Sequence, residues 1–287
     1  MPPKQLTKFS LPKRLQRDYA AGISQIIKKV LPPKFPEQTA EQWLAAIAAR
    51  SQAKDVQEAS ELLASRMVRA VNVINAKTWR DAAARHFQSA KLYALLKEEM
   101  QGATGRRMRE IVLSNAAYIR SIPLEQAARL TAEVSKATQR GARPGTIAKM
   151  MNTRWPELLR SRVQLIARTE SQKASSALTR ARSEDVGAEW YVWQTSSDQR
   201  VRESHRKMQG VVVPWGQDPD PEVLIGEKSG LGHYAAGDCP NCRCYAAPVL
   251  TLDDVKFPAR VYWQGSIHQM TKQQFKQIAV GLEPRAA

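Results

Sequence analysis

The sequence predicts an α+β protein: a mostly α-helical, elongated, basic N-terminal half, then a small α+β module with a short antiparallel sheet. Three observations carry that reading. Apolar residues recur at helical spacing through most of residues 13–183. After Gly187 the pattern changes to aromatic and β-branched alternation, the grammar of strands. Charge changes with it: residues 1–160 hold 28 basic and 13 acidic residues, whereas residues 161–287 hold 16 and 14. The divisions expected are 1–154 (basic, all helical), 155–252 (α+β module) and 253–287 (a tail with a short strand and a helix).

Each element has its own signal. Three prolines within residues 1–12 predict an irregular arm. Leu15, Tyr19, Ile23, Ile26, Ile27 and Val30 then share one helical face. Pro32, Pro33 and Pro36 end that helix, and Thr39 with Gln42 reads as a capping box for the next. Good helix formers without Gly or Pro run from residue 38 to 100, as one very long helix or two to three joined by tight polar turns. Gly102 and Gly105 mark a break. Pro123, Gly141, Pro144 and Gly145 then divide the chain into helices over 106–120, 123–140 and 144–152, with a strong helix from Trp155 to about Ser183.

Glu170 falls within the apolar stripe of that last helix, where a carboxylate is costly unless partnered. In the module, Trp190–Thr195 predicts a strand and Arg200–Met208 a short helix. Val211–Val213 predicts a second strand, residues 214–240 a long loop, and Cys242–Leu250 a further strand. The tail offers a strand at Val261–Trp263 and a helix over 271–281, opened by a Thr271/Gln274 capping box.

Composition narrows the function classes. A 43% hydrophobic fraction supports a buried core and argues against wholesale disorder. No stretch reaches the ~18–20 apolar residues of a membrane span, and the basic N-terminus lacks the apolar region of a secretory signal. Three cysteines, all within 239–244, give no disulfide framework, so a reducing compartment is expected. The net charge of +17 points to an acidic partner, most often nucleic acid. Lys13, Arg14, Arg17, Lys28, Lys29, Arg106, Arg107 and Arg109 are the candidate DNA contacts, non-specific in kind.

The chemistry-bearing residues cluster late in the chain. His205, His233, Cys239, Cys242 and Cys244 form a metal-like constellation. Cys239-x-x-Cys242 has knuckle spacing, and Cys242-x-Cys244 on a strand would face one way. One zinc needs four ligands, so one of the five would be a bystander. The competing reading is three ordinary cysteines and two ordinary histidines. Asp198, Arg200 and Arg202 make a dense polar turn suited to bidentate pairing, and Arg200 or Arg202 could also answer Glu170. A phosphate-binding Gly-x-x-x-x-Gly-Lys loop and a zinc-deaminase motif are both absent from the sequence.

Taken in order, Ala167-Arg168-Thr169-Glu170, Trp193 with Thr195, Asp198-x-Arg200-x-Arg202-x-x-His205, Gly210, His233 and Asn241-Cys242-Arg243-Cys244-Tyr245 with Pro248 resemble the phage head morphogenesis domain of Mu gpF-like and SPP1 gp7-like minor head proteins. The likeness covers about 155–250. It implies a non-enzymatic bacteriophage or prophage minor head protein. Such a protein assembles in the host cytoplasm and resides inside the virion head at the portal vertex. Its partners would be the portal protein, packaged DNA and capsid or scaffold protein, with no membrane.

By that resemblance the metal positions map to His205, His233, Cys242 and Cys244, with Cys239 as a substitute ligand. Arg168, Thr169, Glu170, Asp198, Arg200 and Arg202 become the structural network. One position departs, Tyr234 standing where members often carry proline. The alternatives are an ADP-ribosyltransferase-like enzyme and a general nucleic-acid-binding protein.

Overall fold

In a computed structural model of the chain, residues 6–31, 40–84 and 102–279 are described. Within them lie seven α-helices, α1 (Lys13–Val30), α2 (Ala40–Ser51), α3 (Lys54–Ala83), α4 (Ala103–Gln139), α5 (Pro144–Val186), α6 (Glu203–Met208) and α7 (Lys272–Ile278). Five strands accompany them, β1 (Trp190–Gln194), β2 (Val212–Pro214), β3 (Tyr245–Pro248), β4 (Ala259–Trp263) and β5 (Ser266–Met270). The α+β class, mostly helical, is as the sequence predicts.

The chain divides into two compact units. One holds residues 12–69 and 110–170, all helical where described. On α1 the buried face is Tyr19, Ile23, Ile26, Ile27 and Val30, the stripe read from the sequence. Gly22 lets α3 approach closely, since a Cβ there would stand 2.5 Å from Leu63 Cδ1. Trp43 of α2 meets Trp155 of α5 edge to face at 5.1 Å. A Gln52-Ala53 turn separates α2 from α3, so the Gly- and Pro-free run is broken by a tight turn there. The prolines at 32, 33 and 36 and the Thr39 cap lie outside the described residues.

The helix boundaries expected at 120–123 and 152–155 are not observed. Helix α4 runs through Pro123 and α5 through Pro156. An interior proline costs about 3 kcal/mol through a missing hydrogen bond and a steric clash. The apolar stripe of α4 continues across it, with Ile119, Ile122, Ala127 and Leu130 fully buried. That burial outweighs the local penalty. In α5, Trp155, Val163 and Ile166 keep the buried face continuous past Pro156 in the same way. Residue 155, where the module was expected to begin, lies inside α5.

The other unit comprises residues 1–11, 70–109 and 171–287 and contains the sheet. Strand order is β3-β1-β2-β4-β5. The sheet is mixed, because β2 and β4 pair parallel at Val212↔Val261 while the other pairs are antiparallel. The short antiparallel sheet of the sequence reading is corrected in this respect. The long connection from residue 215 to 258 gives the chain room to return in the same direction.

Period-two alternation along β1 feeds two cores. Trp190 and Val192 join Val212, Val261 and Phe275 on one face, which α7 covers. Tyr191 and Trp193 face Val211, Val213, Tyr234 and the three cysteines on the other. The Thr271/Gln274 capping box of α7 is present in both halves.

Candidate metal centre

The second core face carries the chemistry. His205 sits on the short helix α6, buried at 2% exposure. Its ring meets Trp193 edge-on at 5.5 Å. Residues 239–242 form a tight turn in which the Cys242 N–H donates to Cys239 O at 3.1 Å. Pro240 suits the second position of such a turn, and Asn241 adopts a left-handed φ of 59° that asparagine tolerates. The turn is what brings Cys239 and Cys242 together. Cys244 follows two residues later, just before β3.

All three thiols are buried around the imidazole. Cys242 Sγ and Cys244 Sγ lie 3.6 and 3.4 Å from His205 Nδ1, and Cys239 Sγ lies 3.8 Å from Nε2. His205, Cys239 and Cys242 each present one ligand atom within 4.8 Å of the others, a group able to hold a metal ion. Hydrogen bonds from Cys239 and Cys244, helped by His205, hold the Cys242 thiol well below its ordinary range. Cys239 and Cys244 are pushed upward in turn, each by its bond to Cys242 and by burial.

A polar chain supports the histidine from behind. Tyr234 Oη lies 2.9 Å from His205 Nε2 and donates to the Glu222 carboxylate at 2.8–2.9 Å. Ser204 Oγ donates to the same carboxylate at 3.1 Å. Burial, then the bond to Glu222, drives the Tyr234 phenol far up, so it stays a proton donor. Arg202 donates to Cys239 Sγ at 3.1 Å and to Pro240 O at 2.8 Å. Burial would lower that guanidinium, but the charge and hydrogen bond of Cys239 outweigh it and the net shift is upward.

The loop is also fastened from outside. Arg243 makes a two-pronged ion pair with Asp198, one prong at 2.6 Å. Burial pushes the Asp198 carboxyl up, but the Arg200 N–H and Arg243 together bring it below the ordinary range. Gln172 and Ser176 of α5 donate to Cys244 O and Ala236 O at 3.1 and 2.9 Å. Gly237 sits between them with φ of 94°, and a Cβ there would stand 3.0 Å from Cys244 O.

The residues singled out from the sequence therefore separate. Asp198, Arg202, His205, Cys239, Cys242 and Cys244 converge on this loop. Arg200 is exposed and contributes its backbone N–H to Asp198. His233 points outward, its Nδ1 2.9 Å from Asp218 O, and the neighbouring Tyr234 turns inward instead. Arg168, Thr169 and Glu170 belong to the helical unit, where Thr169 and Glu170 are buried. Burial, and secondarily the charge of Glu170, raises the Tyr19 phenol there. Lys13, Arg14, Arg17, Lys28, Lys29, Arg106, Arg107 and Arg109 are all exposed. In the sequence Arg243 and Tyr234 stand out only as motif positions without an assigned role, and Glu222 carries no local signal.

Comparison with known proteins places this region. A family model described as Phage Mu protein F like protein matches residues 128–247. This segment is similar to that family. It takes in the end of α4, all of α5, β1, β2, β3 up to Ala247 and every member of the His/Cys cluster. The matched segment begins earlier than the resemblance in the sequence suggested. An uncharacterized protein of Haemophilus influenzae (strain ATCC 51907 / DSM 11121 / KW20 / Rd) is 31% identical over 144 residues. That match covers 50% of this chain and 30% of the relative's length. No solved structure matches. Among the described residues, no helix is long and apolar enough to cross a membrane.

Proposed function

We propose that this protein is a minor head protein, acting in bacteriophage head assembly at the portal vertex and contacting both the portal protein and packaged DNA. The observation that carries the reading is the Mu F-like match over 128–247, which takes in the His/Cys loop and the strands that frame it. The exposed basic residues of α1 and of the start of α4 support the DNA contact, because phosphate neutralisation needs cations without sequence readout. The role is structural. The polar groups around His205 are engaged in holding the cysteine loop, and the protein resides in the virion once the head is built.

The test is co-purification of the full chain with the portal protein encoded beside it, together with mass spectrometry of purified heads. A stable portal complex and the chain's presence in DNA-filled heads are expected. Absence from heads and failure to bind portal would overturn the assignment.

A further inference from the structure

We propose that the module holds one structural zinc ion on His205, Cys239, Cys242 and Cys244, with His205 Nδ1 as the nitrogen donor and His233 outside the set. This goes beyond the head-assembly reading and does not depend on it. Tetrahedral zinc with Zn–S about 2.3 Å and Zn–N about 2.0–2.1 Å spaces nitrogen and sulfur about 3.5 Å apart. The two distances from His205 Nδ1, 3.6 Å to Cys242 Sγ and 3.4 Å to Cys244 Sγ, match that edge length. Cys239 comes from the same tight turn as Cys242 and forms with it and His205 a group able to hold a metal ion, to which Cys244 adds a third thiolate through its 3.4 Å approach to Nδ1.

The surroundings assign the tautomer. Tyr234 Oη donates its proton to Glu222 and therefore accepts from His205 Nε2–H. The proton sits on Nε2 and the Nδ1 lone pair faces the sulfurs. A carboxylate-backed partner on the second ring nitrogen is the usual support of a metal-bound histidine. Binding sends the remaining thiol protons to solvent, leaving three thiolates against one divalent cation. Arg202, already donating to Cys239 Sγ, offsets the remaining negative charge.

Burial decides the role. All four donors are at most 3% exposed, so no open coordination position faces substrate and the ion is structural. It would tie α6 to a cysteine turn 34 residues further along the chain, closing a long loop with little regular structure.

The experiment is elemental analysis of the full chain, purified under reducing conditions without chelator and re-incubated with zinc. About one zinc per chain is expected for the natural sequence and for His233→Ala, and its loss for Cys239→Ser and Cys242→Ser. Tyr234→Phe should bind zinc about tenfold more weakly. Because cysteine variants can fail to fold, cobalt exchange on the unaltered chain gives a second readout. Intense tetrahedral d–d bands with thiolate charge transfer are expected. Metal-free natural chain, weak octahedral cobalt bands, or zinc kept by Cys239→Ser and lost by His233→Ala would each overturn the assignment.

Discussion

Tyr234 stands between His205 and Glu222, taking a hydrogen bond from the imidazole and giving one to the carboxylate. Through these two bonds its hydroxyl joins the cysteine cluster to the long loop. Tyr234→Phe keeps the ring against Trp193 but removes that oxygen. The buried Glu222 is deprived of one donor and keeps Ser204. A loss of about 1–3 kcal/mol in unfolding free energy is expected, read by urea denaturation. A change within experimental error would mean that water replaces the hydroxyl.

Gly237 is a backbone position with little freedom in the module. Its φ of 94° is one that L side chains rarely adopt, and its Cα side faces Cys244 O and Gln172. Gly237→Ala therefore meets both backbone strain and a steric clash. Destabilisation of about 1–3 kcal/mol is expected, with Gly230→Ala as a control because a Cβ there meets open space. Equal thermal midpoints for the two variants would contradict the close approach.

Asp218 supplies a pH signature. Burial raises its carboxyl above the ordinary value, against the opposing pull of Arg180 and His233, and its Oδ1 has no hydrogen-bond partner. A carboxyl whose folded-state pKa is raised favours the folded state fully below its unfolded pKa. That contribution fades as pH rises through the folded value. Ionised Asp218 therefore works against the fold at neutral pH. Asp218→Asn should be more stable relative to the natural chain at neutral pH, and the difference should shrink on acidification into the carboxylate range. Denaturation across that pH span checks it, and a gap that widens on acidification would reverse the sign.

The basic face of α1 can be tested without deleting anything. Lys13, Arg17, Lys28 and Lys29 are exposed, while the opposite face of the helix is buried. Reversing all four to Glu in the full chain should leave the fold intact and weaken binding to duplex DNA of any sequence. The salt slope should fall by about one unit for each phosphate that is no longer neutralised. Fluorescence anisotropy at several salt concentrations reads both, and unchanged affinity would move the DNA-binding surface elsewhere on the chain.

Much of the local structure was legible in the sequence. The buried stripe of α1, the capping box of α7, the helix bearing His205 and the strands around Trp190 and Val212 each follow from a short run of residues. Strand β5 was not legible, because its side chains are mostly exposed and its two apolar residues, Ile267 and Met270, are three apart, so no alternation marks it. The continuity of α4 through Pro123 and of α5 across residues 152–155 was not legible either, since it rests on burial against distant residues.

At the site, the sequence by itself determined the ingredients: a histidine on a short helix, a Cys-x-x-Cys turn, a third cysteine two residues on, and arginines nearby. The tertiary structure decided which of two adjacent loop residues enters the core, turning Tyr234 in and His233 out. It also paired Arg243 with Asp198 across 45 residues and set β2 parallel to β4. The physical reason is common to all three. Periodicity and turn chemistry act over a few residues and fix local shape, whereas the phase of an irregular loop and the partner of a charge depend on surfaces far away in sequence.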